Sequence, residues 1–199
     1  MEITKNEIEK LFPSVYITLV SVLLGFAVED VVNRLREIAQ PEVLTFLAAG
    51  GILSGIIAGW IGWSFVSMTQ ERLPRVWDAV HVFLMAFCFY ILISTLGMEV
   101  WCFFLALAVY SVFATVATAY NGIILSQSLT HGIVLGVFRW NVMLTVSNFV
   151  IYSVAAWMSK QEMLTSSTET FLIVYYGLTN ITWIYFLYKG WSILIANLE

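Results

Sequence analysis

The chain has 199 residues, of which 60% are hydrophobic and 11% are charged, and its mean hydropathy is +0.88. Because a soluble domain carries about 45–50% apolar and about 25% charged residues, this composition excludes an ordinary water-soluble globule. The formal net charge of −4 and the lack of a Lys/Arg run give no footprint for nucleic acid. We therefore predict an all-α integral membrane protein, a bundle of about six transmembrane helices with short loops.

The expected organisation is an amphipathic N-terminal lead over residues 1–11, followed by a single transmembrane bundle over residues 12–199. Apolar stretches long enough to cross a hydrocarbon core of about 30 Å define the spans. The predicted spans are residues 12–32, 43–69, 76–96, 99–120, 133–158 and 171–188. Residues 121–132 are too apolar for a free loop and too polar to span, so a re-entrant or interfacial segment is open there.

The first span ends in a cluster of ionisable residues that includes Glu29, Asp30, Arg34 and Arg36. An ionised group at a helix centre costs about 2.5–3.5 kcal/mol on the insertion scale, so such groups are usually functional or paired. We hypothesise that Glu29, Asp30 and Arg34 belong to a polar path or ion-binding site. The alternative is an interfacial anchor in which the arginines neutralise the acids. At helical spacing, the cluster continues a polar seam formed by Ser14, Thr18, Ser21, Gly25, Glu29, Asn33 and Arg36.

The fifth span carries a cation and a polar stripe. Arg139 is costly if it faces lipid, so it is expected either to face the bundle interior or to extend to the membrane surface. Asn141, Thr145, Asn148 and Tyr152 follow at helical spacing and fit either an aqueous path or hydrogen bonds between helices. We assign Arg139 and Asn148 to the same polar path as the acids of the first span.

The second span carries glycines at four-residue intervals, namely Gly51, Gly55 and Gly59. Small residues at this spacing let two membrane helices approach closely. The pattern predicts a helix-packing face, used either within the chain or across a homo-oligomer.

The third span places Asp78, His81, Met85 and Cys88 on one helix face. Imidazole, thiolate and thioether groups suit soft metal ions. Since these ligands are spread over almost three turns, only Asp78 and His81 are close enough to act as a pair. We expect no metal site and no cofactor.

Two short motifs resemble those of a known family. Glu29-Asp30-x-x-x-Arg34 is similar to the Glu-Glu-x-x-x-Arg motif of the CAAX-type intramembrane proteases, and Trp77-x-x-x-His81 resembles that family's Phe-x-x-x-His element. The family's His-x-x-x-Asn or Asp element has no counterpart here. The resemblance implies that Glu29 activates water and that His81 assists it.

Three functions are therefore carried forward. The first is an oligomeric channel-like or transport-like protein with a polar intramembrane path. The second is a non-catalytic membrane scaffold, or a membrane-perturbing effector, that acts with a soluble or membrane partner protein. The third is the protease. The chain lacks the motifs of serine hydrolysis, phosphate binding and thiol redox chemistry, so no catalytic residue is assigned outside that resemblance.

The expected membrane orientation follows from the cations near the ends of the spans. Lys5, Lys10, Arg72, Arg75 and Lys189 would all lie on the side of the two termini. Because Lys and Arg collect on the cytoplasmic side, both termini are expected in the cytoplasm, with the chain in the inner membrane.

Overall fold

The structure is a computed structural model that describes residues 5–68, 76–128 and 132–196, and within these ranges its regular secondary structure is entirely helical. Each helix contains a stretch of 18 to 25 residues that is apolar enough to cross a membrane. The all-helical class and the six predicted long apolar helices are thus confirmed for the described ranges. The helices are α1 (Lys5–Glu37), α2 (Val43–Met68), α3 (Val76–Ser94), α4 (Val100–Ser128), α5 (Gly132–Lys160) and α6 (Ser166–Ala196).

Local chemistry explains where several helices begin and end. α1 ends at Glu37, shortly before Pro41, which has no amide hydrogen to continue a helix. After α3, Gly97 adopts a φ of +80°, a left-handed conformation that glycine accepts without strain. At the start of α6, the Thr165 hydroxyl accepts a hydrogen bond from the Thr168 amide at 3.3 Å and so caps a free helix donor.

Two boundaries differ from the expected ones. α1 already begins at Lys5, within the stretch expected to form a separate lead, and it passes through Pro13. α4 continues to Ser128, so residues 121–128 extend the fourth helix instead of forming a separate re-entrant segment. The buried Asn121 side chain explains why this part of α4 is more polar than a lipid-facing helix. Residues 1–4 and the loop that carries Arg72 and Arg75 lie outside the described ranges.

Each helix packs against at least two others. α1 contacts α2 and α3, α2 contacts α3 and α6, α4 contacts α3 and α5, and α5 contacts α6. We call the end where α1 starts and α6 finishes the terminal end. The opposite end, which carries the connections 38–42, 95–99 and 161–165, is the turn end.

Buried aromatic side chains fill the middle of the bundle. The Tyr176 ring lies 6.1 Å from the Tyr110 ring and 6.3 Å from the Tyr152 ring, both in edge-to-face geometry. Phe104 stacks on Tyr152, and Phe89 lies 5.2 Å from Tyr110. Edge-to-face and offset contacts of this kind are favourable for aromatic rings. We call Phe89, Phe103, Phe104, Tyr110, Tyr152 and Tyr176 the aromatic cluster.

Candidate functional site

A polar cavity of about 90 Å³ lies between α2, α4, α5 and α6, in the half of the bundle nearer the terminal end. Among the described residues, its lining contains no Asp, Glu, Lys, Arg or His. Aromatic and small side chains supply the rest of the wall, among them Trp63, Trp183 and Gly59. The hydroxyl and amide groups come from Ser111, Thr118, Asn121, Asn141, Thr145, Asn148, Tyr110, Tyr176, Thr179 and Asn180.

Hydrogen bonds between α4 and α5 form one wall of the cavity. The Asn141 amide donates to the Thr118 hydroxyl at 2.9 Å, and the Thr115 hydroxyl donates to the Thr145 hydroxyl at 2.8 Å. In a hydrocarbon layer, hydrogen bonds between side chains of neighbouring helices help to hold the two helices together. Part of the polar stripe of α5 is therefore occupied by contacts between helices.

Asn148 differs from the other members of that stripe. Its side chain is only 7% exposed, and its Oδ1 atom has no hydrogen-bond partner among the described residues. A buried acceptor left without a donor costs about 1–3 kcal/mol. Asn148 is among the residues that line the cavity, and its unpaired carbonyl oxygen is buried in the wall.

The opposite wall is the contact between α2 and α6. Asn180 donates from Nδ2 to the Gly51 carbonyl and to the Ser54 hydroxyl, each at 3.3 Å. A Cβ atom on Gly55 would lie 2.7 Å from the Tyr176 hydroxyl and 3.3 Å from Asn180 Nδ2. The missing side chains at Gly51 and Gly55 thus make room for Tyr176 and Asn180.

Gly59, the third glycine of the predicted helix-packing face, has a different neighbour. A Cβ atom on Gly59 would meet Trp63, one turn along the same helix, at 3.3 Å. Gly51 and Gly55 therefore contact α6 of the same chain, and Gly59 accommodates a tryptophan of its own helix. The predicted helix-packing face makes its contacts within the chain, so it gives no support to a homo-oligomer.

The charged cluster of α1 lies at the turn end, away from the cavity. Glu29 and Arg36 are exposed, and Asp30 and Arg34 are half-buried. Arg34 donates to the Leu96 carbonyl at 3.2 Å and forms an ion pair with Glu37 at 3.3 Å. None of these charged residues is among the described lining of the cavity that contains Asn148, and Asp30 and Arg34 border a separate pocket, so the structure does not bring them together in one path.

Arg139 also lies apart from the cavity. Its side chain is exposed and borders a groove on the outer surface between α4 and α5. This placement is outside the bundle interior, which was one of the two expectations for Arg139, and extension to the membrane surface stays a prediction. Of the five residues assigned to the path, only Asn148 lines the cavity.

His81 is held by two hydrogen-bonding groups. Its Nδ1 atom lies 2.6 Å from the Trp77 carbonyl, which can only accept, so Nδ1 carries the proton. Its Nε2 atom then accepts from the Tyr16 hydroxyl at 3.1 Å. Both ring nitrogens are therefore engaged, while Asp78, three residues earlier, is buried. Metal binding at His81 would require the loss of one of these bonds.

The same contact separates the two groups implied by the protease resemblance. Tyr16 precedes Glu29 by 13 residues on α1. At a rise of 1.5 Å per residue, this is about 20 Å along the helix axis. Since His81 lies beside Tyr16, Glu29 and His81 cannot act on the same water molecule.

Several cavity residues were not singled out in the sequence. Tyr176, Thr179, Asn180 and Trp183 recur at spacings of three, one and three, which places them on one face of α6. This periodicity was visible, but it is embedded in an aromatic span where tyrosine and tryptophan are also expected as interfacial anchors. Asn121 lies in residues 121–132, where the sequence indicates neither a free loop nor a membrane span.

Comparison with known proteins gives no match to a family model, a curated protein or a solved structure.

Proposed function

We propose that the chain is a multi-pass membrane protein with a transport-like function, and that its polar cavity binds a small uncharged solute carrying an N–H or O–H donor. The observation that carries this proposal is the buried Oδ1 atom of Asn148, an acceptor without a donor at the wall of the cavity. The six long apolar helices support insertion in a bilayer. A bound donor would remove the cost of leaving that acceptor unsatisfied.

The lining of the cavity favours an uncharged solute. Moving an isolated ion into a medium of low dielectric costs tens of kcal/mol unless a counter-charge or metal site compensates it. The lining residues that the structure describes offer amides, hydroxyls and aromatic rings, and they include no carboxylate, ammonium, guanidinium or imidazole group. These groups can exchange hydrogen bonds with a neutral amide or alcohol without a charge to balance.

The size of the cavity favours a molecule of a few heavy atoms. Its volume of about 90 Å³ exceeds several-fold the about 10–15 Å³ that one water molecule requires on the same measure. Urea, acetamide and glycerol are solutes of this size and chemistry, and each carries both donors and acceptors. They are the probes that we select for the test below.

A carrier-like mechanism fits the position of the cavity better than a static pore. The cavity occupies the terminal half of the bundle, and the rings of Tyr110 and Tyr176 belong to both its lining and the aromatic cluster. A solute bound at Asn148 must pass this cluster to reach the turn end. Displacement of Tyr176 would also change the α2–α6 contact, because its ring occupies the space beside Gly51 and Gly55.

Solute flux into proteoliposomes, followed by stopped-flow light scattering, tests the proposal. The wild-type chain should admit at least one of urea, acetamide and glycerol faster than protein-free liposomes do. Asn148→Leu, which keeps the side-chain volume and removes the acceptor, should reduce that rate about tenfold. Asn33→Leu is the matched control, because Asn33 is exposed at the turn end. A wild-type rate equal to that of protein-free liposomes for all three solutes would overturn the proposal.

The expected setting of this activity is the inner membrane with both termini in the cytoplasm, and this orientation is part of the proposal. Any homo-oligomer would have to use a surface other than the Gly51–Gly55 face, since that face contacts α6. Dependence of flux on a soluble partner protein would instead favour the scaffold or effector function.

A further inference from the structure

We propose that the outer groove between α4 and α5 binds one anionic phospholipid, whose phosphate contacts the Arg139 guanidinium and whose acyl chain lies along the groove. The groove has a volume of about 500 Å³ and is bordered by Gly122, Ile123, Arg139, Val142 and Met143 among others. Thr118 and Phe138 line both the groove and the polar cavity, so the two spaces are neighbours that share these side chains. This lipid site is independent of the solute site proposed above.

Arg139 lies in the part of α5 that is nearer the terminal end. Helix α5 begins at Gly132, so Arg139 is seven residues, or about 10 Å, along the helix from that end. The adjacent Trp140 is 68% exposed, and exposed tryptophans collect at the interface between headgroups and acyl chains. A guanidinium on a long side chain can extend toward the phosphate layer while the rest of the groove stays in the acyl region.

The charge of Arg139 gives the groove its preference for an anionic occupant. In the described part of the chain, no carboxylate forms an ion pair with this arginine. A guanidinium presents N–H donors in a planar fork that matches two phosphate oxygens. Basic side chains at the cytoplasmic membrane surface attract anionic lipids in the same way.

The remainder of the groove is shaped for an acyl chain. Ile123 and Met143 are 60% and 61% exposed, so their apolar side chains are open to the surroundings. Gly122 contributes no side chain to the groove, and Phe138 packs against it, since a Cβ atom there would lie 3.4 Å from Phe138 Cβ. Besides Arg139 and Thr118, the described lining of the groove is apolar, so an acyl chain that follows this surface toward Val142 would contact mainly apolar groups.

Native mass spectrometry of the full-length protein with equal amounts of phosphatidylglycerol and phosphatidylcholine tests this site. The wild-type protein should retain one phosphatidylglycerol in at least tenfold preference to phosphatidylcholine. Arg139→Gln should abolish the preference, whereas Lys189→Gln should not, because Lys189 is an exposed cation at the same end and lies over the Tyr185 ring. Excess inorganic phosphate should not displace the lipid, because it lacks the acyl chain.

A second variant distinguishes the contribution of the groove to lipid binding from that of the Arg139 charge. Val142→Trp keeps Arg139 and fills part of the groove, so it should also reduce retention of the lipid. Equal retention by Arg139→Gln and the wild type, or an equal loss in Lys189→Gln, would overturn the proposal. If Arg139→Gln does not purify in a folded form, unchanged retention by Val142→Trp overturns it instead.

Discussion

The Tyr176 ring of α6 occupies the space that a side chain on Gly51 of α2 would need, since a Cβ atom there would lie 2.9 Å from Tyr176 Cδ1. One turn along α2, the Tyr176 hydroxyl has the same relationship to Gly55. The close approach of α2 and α6 therefore depends on glycine at both positions. This contact also sets one wall of the polar cavity.

Gly51→Ala and Gly55→Ala should each destabilise the protein by about 1–3 kcal/mol, the usual cost of inserting a methyl group into a well-packed contact. Unfolding of the purified protein in mixed micelles, followed by circular dichroism, measures this loss. Gly50→Ala is the matched control, because a Cβ atom there has no neighbour within 4 Å. Equal stability of the Gly50 and Gly51 variants would contradict the α2–α6 contact.

The hydrogen bond from Asn141 to Thr118 predicts an energetic coupling between α5 and α4. In a double-mutant cycle with Asn141→Leu and Thr118→Val, the coupling should be about 0.6 kcal/mol and no more than about 1.7 kcal/mol, the range measured for such bonds in membranes. The same unfolding assay supplies the four stabilities. A cycle between Thr118→Val and Thr182→Val is the control, because the exposed Thr182 donates to Leu178 of its own helix. Coupling of equal size in both cycles would contradict the assignment.

The features predicted correctly from the sequence are local ones. An apolar run of about 20 residues must become a helix in lipid, because its backbone groups have no other partners there. The stripe of Asn141, Thr145 and Asn148 was likewise visible, since three- and four-residue spacings fix which side chains share a helix face. Both inferences need only residues that are close to one another in the sequence.

The rotation of α1 about its axis was not predictable in the same way. Its polar seam lies on the outer surface, because Val20, Leu24 and Val31 form the buried face. The hydroxyls of Thr18 and Ser21 donate to carbonyls of their own helix at 2.8 Å, so they do not require a polar interior. A helix with satisfied hydroxyls can therefore turn its seam outward, and the sequence does not indicate which face the neighbours will cover.

The pairing of helices explains why the cavity was only partly foreseen. Asn148 of α5 faces groups contributed by α2 and α6, which are distant in sequence. The acids of α1 were grouped with Asn148 because both are polar and intramembrane. The acids of α1 are not among the described residues that line the cavity, and this separation depends on which helices pack together.

The position of Glu29 leads to a prediction about solute flux. Because Glu29 is exposed at the turn end, Glu29→Gln should leave the stopped-flow rate of the permeant solute within about twofold of the wild type. Asn148→Leu, measured in the same liposomes, should show the tenfold loss. A loss of flux in Glu29→Gln as large as that in Asn148→Leu would contradict this prediction and would indicate that the charged cluster belongs to the solute path.

Arg34 should stabilise the turn end through the carbonyl of Leu96. Its Nε atom donates to this carbonyl at 3.2 Å, just after the last residue of α3, where carbonyl groups lack partners within the helix. A hydrogen bond from a charged donor is worth about 1.5–3 kcal/mol, and partial exposure of Arg34 reduces this to about 1 kcal/mol.

Arg34→Gln should therefore lower the free energy of unfolding by about 1 kcal/mol and should speed amide hydrogen exchange in the turn that follows α3. Arg36→Gln removes the same charge from an exposed position two residues away and should change stability by less than about 0.5 kcal/mol. The difference between the two variants isolates the contact with Leu96 from the loss of a positive charge near Glu37. If the two variants exchange and unfold alike, Arg34 contributes only its charge, and the cap on α3 must come from Gly97.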